Sequence, residues 1–455
     1  MDRTTEYLSD YACRLSYEDL SLEAVRQAKR SLIDTLGCGI AAFDSEPAAI
    51  ARRMASRVQG NPRARLIGCK QKTSTDLAAF ANTVLIRYLD CNDAYAARAT
   101  GHPSDMIPAV LAVADAQRAN GKAVITAVAA TYEVFCRLAD EVPLKSWDQG
   151  TFKVIGATCG IGMILGLGRK AMGNAISIAI TTGLPLGVTR VGELSMWKGC
   201  ATAAAARTAV FAAELAAEGM TGPAEPFEGR DGLWQNLTVE APKWPAFGLG
   251  AEPFRINRTS FKAYPSVVHT QGPVGLVLEL RRRIRTAEIE SVHIKVHGQA
   301  MRRTAAEAEK WDPQTRETAD HSMPYLVAAA FQDGEVTPAT FAPSRIQDPA
   351  LRPLMKKMTV VEEPEFTRRY PVELCSRVEV TTTDGRREVA ETSYPKGHYQ
   401  NPLTDGELEA KFRGLASGAL GVEGCNRVLA EVWDLENRAT LDRLVESLVI
   451  PPRNA

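Results

Sequence analysis

The hydrophobic period of the chain changes near residue 255, and this change restricts the possible folds more than any other feature. Over residues 1–250 apolar side chains recur every three to four positions, as on amphipathic helices. Between about residues 255 and 395, short stretches instead alternate apolar and polar side chains, which is the period of strands. Helical periodicity returns after Pro402. The sequence therefore predicts a mainly α chain, with helical segments at 1–255 and 396–455 around a smaller α+β domain at 256–395.

End signals place several helices. Ser21 is predicted to cap a helix whose apolar face begins at Leu22, and Ser74 or Thr75 to cap a second. A third is predicted to run from Ser104 to a stop at Asn120–Gly121. The remaining predicted helices are Ala123–Ala139, a buried Val154–Gly168, a central alanine-rich helix from Lys198 to Glu218, and one capped by the Thr404–Glu407 capping box.

Strands are predicted only in the middle of the chain. A hairpin turn is predicted at Asp384–Gly385. The loop Pro223–Gly250, rich in Pro, Trp and Gly, is interpreted as a hinge region between the two parts. The four predicted strands are Ser291–His297, Met358–Val361, Arg377–Thr383 and Arg386–Thr392.

Composition excludes several classes of protein. The 455 residues carry a formal net charge of +0, whereas a nucleic-acid partner would require surplus Lys and Arg. The nine cysteines form no CxxC pair, so neither a zinc ribbon nor an iron–sulfur cluster is indicated. The polar N-terminus lacks the apolar core of a signal peptide, and Val154–Gly168 is too short to span a bilayer. We therefore expect a cytoplasmic protein without a membrane or nucleic-acid partner.

The stretch LDCNDAYAARATGHPSDMIPA, residues 89–109, places many polar groups between two apolar helices. Asp90 would lie at the negative end of the first helix, a position that needs a compensating cation or a functional role. His102 directly precedes the next helix, whose free N–H groups near Ser104 and Asp105 are suited to hold a carboxylate. An ordinary loop capped by Ser104 is the alternative, and the residues alone leave both open.

Three further stretches carry candidate residues, each with a structural alternative. Lys198 lies at the start of the alanine-rich helix, where burial and the helix dipole favour a neutral amine unless an anion approaches; a surface lysine is the alternative. The stretch FKAYPSVVH, residues 261–269, lies at the predicted domain junction and is equally well a structural loop. In DHSMPY, residues 320–325, His321 and Tyr325 would share a helix face, or serve only in capping and packing.

Taken together and in this order, DCNDAY…GHPSD, SMWKGCATAAAA, FKAYP…H and DHSMPY resemble the MmgE/PrpD family, as does the later YPKGHYQNPLTDGELEAKF. That family includes iron-independent 2-methylcitrate dehydratase, cis-aconitate decarboxylase and an iminodisuccinate epimerase. The resemblance covers nearly the whole chain. It implies a large all-helical domain built from both chain ends, a smaller α+β lid domain and a homodimer.

The resemblance also implies a set of site residues. Carried over by motif, the catalytic positions are Asp90, His102, Lys198, Lys262 and Tyr325. Weaker substrate-binding candidates are Asn92, Ser104, Tyr264, His269 and His321. The stretch GHPSD resembles the dehydratase branch, and WDQGTF at 147–152 lacks the histidine that the decarboxylase branch carries nearby. One departure is Ala94, where the family usually has threonine, so the substrate is less defined.

The chemistry that this family shares is proton transfer at a carbon next to a carboxylate. Lys198 and Lys262 are suited to stabilise the developing negative charge, His102 to move the proton, Asp90 to orient His102 or hold it charged, and Tyr325 to donate to the leaving oxygen. We therefore expect a hydro-lyase without metal or other cofactor, acting on 2-methylcitrate or a related polycarboxylate. A dicarboxylate epimerase is the second hypothesis and a decarboxylase the third.

Overall fold

The computed structural model describes residues 1–244, 246–249 and 253–452. It is 58% helical and 8% strand, which confirms the prediction of a mainly α protein. The helices in the first part of the chain are α1 Arg3–Arg14, α2 Leu22–Ala41, α3 Glu46–Ala55, α4 Thr75–Tyr88, α5 Ile107–Gln117, α6 Gly121–Glu141, α7 Gly150–Ile164, α8 Arg169–Thr182, α9 Trp197–Ala217 and α10 Leu233–Leu237. A two-stranded ribbon, β1 Ala64–Arg65 and β2 Lys72–Thr73, precedes α4.

The second part of the chain contains a mixed sheet. Its strands are β3 Ile289–Val296, β4 Met358–Glu362, β5 Ser376–Thr382 and β6 Arg387–Thr392, in the order β4-β3-β5-β6. The β3–β4 pair is parallel and the other two pairs are antiparallel. The helices here are α11 Gln271–Leu280, α12 Gly298–Thr304, α13 Arg316–Ala319, α14 Met323–Asp333, α15 Pro343–Ile346, α16 Arg352–Met355, α17 Pro364–Arg369, α18 Asp405–Trp433 and α19 Asp442–Ser447.

Two hydrophobic clusters account for most of the buried apolar side chains. The larger, here called the helical core, draws its buried residues from positions 8–261 and 403–448. The smaller, the sheet core, draws them from positions 274–390 and packs α11 against the sheet and α14 against α11. Both ends of the chain thus contribute to one core, because α18 lies against α2. The exact domain boundaries, and the interpretation of the smaller part as a lid, stay predictions.

Most of the predicted elements are present, and several of their end signals act as expected. Ser21 accepts from the Ala24 backbone N–H at 3.1 Å, and Thr404 and Glu407 form the predicted capping box. The four predicted strands and the turn at Gly385, whose φ is 87°, are confirmed. Leu22 is wrong as a core residue, since it is 90% exposed at the first position of α2.

The predicted stop at Asn120–Gly121 is wrong. The helix in question, α5, ends at Gln117, because Arg118 adopts a left-handed conformation with φ 53°. Asn120 instead begins the next helix, where its side chain accepts from the Ala123 N–H at 2.9 Å. Asn is favoured both after a helix end and at a helix start, so the residue alone does not distinguish the two.

The alanine-rich helix α9 is central, as predicted, and packs against α4, α7 and α8. Among the described residues it is the one helix that is long and apolar enough to cross a membrane by composition. Its packing against three other helices is that of a core helix. The predicted hinge loop lies partly outside the described residues; in its described part Phe227, Trp234 and Phe247 are buried in the helical core.

Candidate active site

Asp90 lies where α4 ends and the polar loop begins. Its backbone is left-handed, with φ 51°, and its side chain is fully buried. The predicted compensating cations are present: Arg87 donates to its carboxylate at 2.7 Å, Lys262 donates to the same oxygen, and Lys198 is 3.2 Å from the other. Burial opposes ionisation of Asp90, but these cations outweigh it and hold its pKa well below the usual range.

Lys198 joins this group to the α+β part of the chain. Its ammonium donates to both carboxylate oxygens of Asp320 at 2.7 Å, and Asp320 also accepts from His321 Nδ1 at 2.5 Å. Lys198 is therefore neither a surface lysine nor an amine without an anion. Its charge is matched by Asp90 and Asp320, and its side chain is 2% exposed. Burial and the nearby Lys198 lower the pKa of His321 to about 4, so this imidazole is neutral at pH 7.

Lys262 is buried in the same way. Besides the Asp90 carboxylate, it donates to the Asp90 backbone carbonyl at 2.7 Å, and burial lowers its pKa although Asp90 opposes that shift. The structure does not leave the ammonium groups of Lys198 and Lys262 free to stabilise negative charge on a substrate, which is the role predicted for them. Both ammonium groups donate to protein carboxylates, because a buried charge requires a partner.

Asn92, Ser104 and Asp93 fix the loop from within. Asn92 donates to Ser104 Oγ and to Asp105 at 2.8 Å each. The Ser104 N–H, predicted to be free for a substrate carboxylate, donates to the Asp93 carboxylate at 3.1 Å. Asn92 and Ser104 are fully buried. Their side chains hold the loop in shape, and the anion position at this helix start is filled by the protein's own carboxylate.

His102 is held by the backbone and not by Asp90. Its Nδ1 is 2.6 Å from the Asp93 carbonyl, which only accepts, so Nδ1 carries the proton and Nε2 has a free lone pair. Nε2 is 3.9 Å from Asp90, too far for a hydrogen bond. Burial, followed by the charges of Arg87 and Lys262, lowers the pKa of His102 well below 6.5. The prediction that Asp90 orients His102 or holds it charged is therefore wrong; the imidazole is a neutral base.

Gln149 supports His102 from the other side. Its Oε1 accepts from the His102 backbone N–H at 3.0 Å, which leaves the amide Nε2 as a donor. The side chain reaches this position across Gly101, where a Cβ would lie 2.5 Å from Gln149 Oε1 and 2.6 Å from Phe135. A glycine at 101 is thus required for the contact, and Gln149 is fixed next to the imidazole.

A cleft of 590 Å³ opens beside these residues, between the helical core and the sheet core. His102, Gln149 and Trp147 line it from the helical side, and His269 and His321 from the other. Among the described residues that line it, Asp148 is the one carboxylate, and it is paired with Arg190 at 2.7 Å. The cationic side chains that line it are Arg98, Lys145, Arg190, Arg303 and Lys310.

His269 belongs to an aromatic group at the edge of this cleft. Its ring lies edge-on to His297, at 5.1 Å between centroids, and His297 stacks on Tyr370 at 4.3 Å. The Tyr370 hydroxyl is 2.7 Å from Thr100 Oγ1, so this group connects the α+β part to the polar loop. Burial, and then His297, lowers the pKa of His269 well below 6.5, and its Nδ1 is buried without a hydrogen-bond partner.

The family comparison agrees with this arrangement. The MmgE/PrpD N-terminal domain model matches residues 6–244, and the MmgE/PrpD C-terminal domain model matches residues 264–435. The chain belongs to the MmgE/PrpD family. The two matched ranges meet at the cleft, since His102 lies in the first and His321 in the second.

Curated relatives in this family span most of the chain. A 2-methylcitrate dehydratase of Escherichia coli K12 is 29% identical over 87% of this chain and 86% of its own length. The human cis-aconitate decarboxylase is 24% identical over 94% of this chain and 91% of its own. A 2-methylcitrate dehydratase-like protein of Aspergillus oryzae, oryR, is 26% identical over 98% of this chain and 94% of its own length.

Tyr325 and Tyr264, both carried over from the family resemblance, belong to the sheet core and lie away from the cleft. Tyr325 is fully buried in the sheet core, where its hydroxyl donates to the Thr340 carbonyl at 2.5 Å, so the prediction that it protonates a leaving oxygen is wrong. His321 lies in the turn between α13 and α14, so the two residues do not share a helix face. Tyr264 packs against the sheet core beside Gly275 and does not line the cleft.

Sequence reasoning missed several groups that this MmgE/PrpD site uses. Asp320 was inside a quoted motif, yet only its contact with Lys198 shows its role. Arg87 and Lys153 lie within apolar helices, each is 1% exposed, and each contacts the carboxylate of Asp105. A charged residue on an otherwise apolar helix face indicates a buried ion pair. The sequence does contain this signal at both positions.

Proposed function

We propose that this MmgE/PrpD member is a lyase, and more closely a hydro-lyase that dehydrates 2-methylcitrate or a closely related polycarboxylate. The observation that carries the proposal is the neutral His102, which keeps a free Nε2 lone pair and lines a cleft that also has five cationic side chains. A base beside a cationic cleft is suited to remove a proton next to a carboxylate. The named 2-methylcitrate dehydratase relatives supply the substrate class.

Substrate carboxylates would bind to the cationic lining of the cleft. Arg190, Arg303 and Lys310 reduce the repulsion between the carboxylates of a polyacid, and they stabilise the enolate-like charge that forms when the neighbouring carbon loses its proton. Lys198 and Lys262 act one layer deeper. They keep Asp90 and Asp320 ionised and in place, and so fix the wall on which His102 and His321 rest.

The proton balance of the dehydration can be carried by His102. Its Nε2 takes the carbon proton, the C–O bond to the neighbouring hydroxyl breaks, and the imidazolium returns the proton to the departing oxygen as water. Burial favours the neutral imidazole before and after this cycle. We propose that this reaction uses protein groups alone. A homodimeric state, a cytoplasmic location and closure of the α+β part over the substrate are part of the same proposal.

The decisive experiment is a substrate panel. Purified protein is incubated with 2-methylcitrate, citrate, cis-aconitate and iminodisuccinate, and the products are followed by ultraviolet absorbance of the new double bond and by mass. Loss of water from 2-methylcitrate supports the proposal. Release of carbon dioxide from cis-aconitate, or no loss of water from any hydroxy acid, would contradict it.

An epimerase is the second candidate, and one observation favours it. Two neutral imidazoles face the cleft from opposite parts of the chain, His102 from the polar loop and His321 from the α13–α14 turn. Such a pair is suited to remove a proton from one face of a carbon and to return one to the other. Chiral chromatography of a dicarboxylate after incubation, with deuterium uptake from solvent, distinguishes this reaction from dehydration.

A further inference from the structure

Arg303 is one of three cations lining the cleft, with Arg98 and Lys145, to which the described residues give a single hydrogen bond and no ion pair. It lies on α12, in the α+β part, and its side chain is exposed. Its one hydrogen bond among the described residues is from Nη1 to the Arg190 backbone carbonyl, at 3.3 Å. In the described part of the chain no carboxylate lies within ion-pair distance of Arg303, whereas Arg190 is paired with Asp148 and Lys310 lies 3.7 Å from Glu307.

Arg190 faces Arg303 from the helical side and is itself incompletely satisfied. Its Nε donates to Asp148 and its Nη1 to the Lys198 carbonyl, at 2.7 and 3.0 Å, while its Nη2 is buried without a partner. Burial, and then the charge of Arg190, lowers the pKa of Arg303. Two guanidinium groups therefore come together at one side of the cleft. Asp148 is paired with Arg190, and Glu307 lies nearer to Lys310, so neither carboxylate forms an ion pair with Arg303.

Arg190 is connected to His102 through two consecutive residues, Asp148 and Gln149. Asp148, the partner of Arg190, is followed directly by Gln149, which accepts from the His102 N–H. An anion bound at Arg303 and Arg190 is therefore held near the reactive imidazole, and it touches both parts of the chain. Planar guanidinium groups bind carboxylates through two parallel hydrogen bonds, which fixes direction as well as charge.

We infer that Arg303, supported by Arg190, is a specificity-determining residue that binds the substrate carboxylate remote from the carbon that loses its proton. The inference rests on the proposed function for its ligand class, a polycarboxylate. Arg303 contributes from the α+β part, so the remote carboxylate links this part to the helical core when the substrate is bound.

The test measures binding of tricarballylate, a tricarboxylate without the hydroxyl group that dehydration requires, by calorimetry. Arg303→Met is expected to weaken binding about 10-fold or more, and Arg303→Lys to fall between it and the wild type, because an ammonium lacks the forked donors. Arg302→Met is the matched control: Arg302 is on the same helix, exposed and bonded to Gln299, and it does not line the cleft. It is expected to bind within about 2-fold of the wild type.

Kinetics then separate this inference from the proposed function. For the substrate found in the panel, Arg303→Met should raise KM about 10-fold and change kcat less, since the contact is made before and during the reaction. Weaker tricarballylate binding in Arg303→Met alone supports the inference even if no dehydration is found. Equal binding by Arg303→Met and the wild type, equal losses in Arg302→Met, or no binding to the wild type, would overturn it.

Discussion

Lys198 donates to both carboxylate oxygens of Asp320 at 2.7 Å, across 122 positions of sequence. The lysine is at the start of α9 in the helical part, and the aspartate follows α13 in the α+β part. The same ammonium is 3.2 Å from Asp90. This buried ion pair therefore fixes the two parts of the chain against each other directly behind the cleft.

Lys198→Met is expected to lower stability by about 3–5 kcal/mol, because it leaves two buried carboxylates without their shared cation. Adding Asp320→Asn should restore part of the loss by removing the carboxylate to which Lys198 donates both of its bonds. Urea unfolding of the two single variants and the double variant measures this coupling. Additive effects of the two substitutions would show that the pair does not act as a unit.

His102→Asn is expected to reduce kcat by about 10²–10⁴-fold with little change in KM, the range for loss of a general base. In the wild type, the acid side of the kcat/KM profile should fall below pH 6.5, because burial lowers the pKa of His102. The base is neutral above that pKa, so activity is lost as pH decreases through it. Normal turnover by a folded His102→Asn variant would exclude His102 as the base.

Gln149→Ala is expected to reduce kcat/KM about 10-fold, equivalent to about 1.4 kcal/mol, since it removes the acceptor for the His102 N–H and a donor facing the cleft. Gln149→Glu keeps the acceptor but replaces the donor by a negative charge. It should therefore raise KM for a polyacid more than Gln149→Ala does. Steady-state kinetics of both variants test this prediction. Wild-type values of kcat and KM in both variants would show that Gln149 is not part of the site.

Tyr325→Phe is expected to cost about 1–3 kcal/mol of stability, because the buried Thr340 carbonyl loses its donor. Turnover should remain within about 2-fold of the wild type, since the hydroxyl does not reach the cleft. Denaturant unfolding and kcat are measured on the same preparation. A large fall in kcat at unchanged stability would restore the catalytic role that the family resemblance implied.

Treatment with a chelator is expected to leave activity unchanged, and added Mg²⁺ or Zn²⁺ should not increase it. Ligand atoms of Asp90, Asp320 and His321 do lie within 4.8 Å of one another, which is compatible with a cation. The ammonium of Lys198 already supplies the positive charge there, by its contacts with both carboxylates. Activity that is lost on chelation and restored by one metal would show that an ion displaces Lys198 from this position.

Local signals in the sequence determined the elements of this protein. The change of hydrophobic period separated helices from strands, and Ser21, Thr404 and the Asp384–Gly385 turn placed their ends, because these effects act within a few residues. The motif of residues 89–109 and the later family motifs indicated which segments carry the site. The same motifs were sufficient to identify the family, since they keep their order along the chain.

Tertiary structure alone decided what each site residue contacts. Lys198 and Lys262 were predicted to stabilise the negative charge that develops on the substrate, and they instead hold Asp90 and Asp320. Tyr325 was predicted to donate a proton, and it instead packs in the sheet core. Partners such as Arg303 and Arg190 are 113 positions apart. Charge pairing and burial depend on which side chains the fold brings together. The residues that neighbour a side chain in sequence do not specify these distant partners.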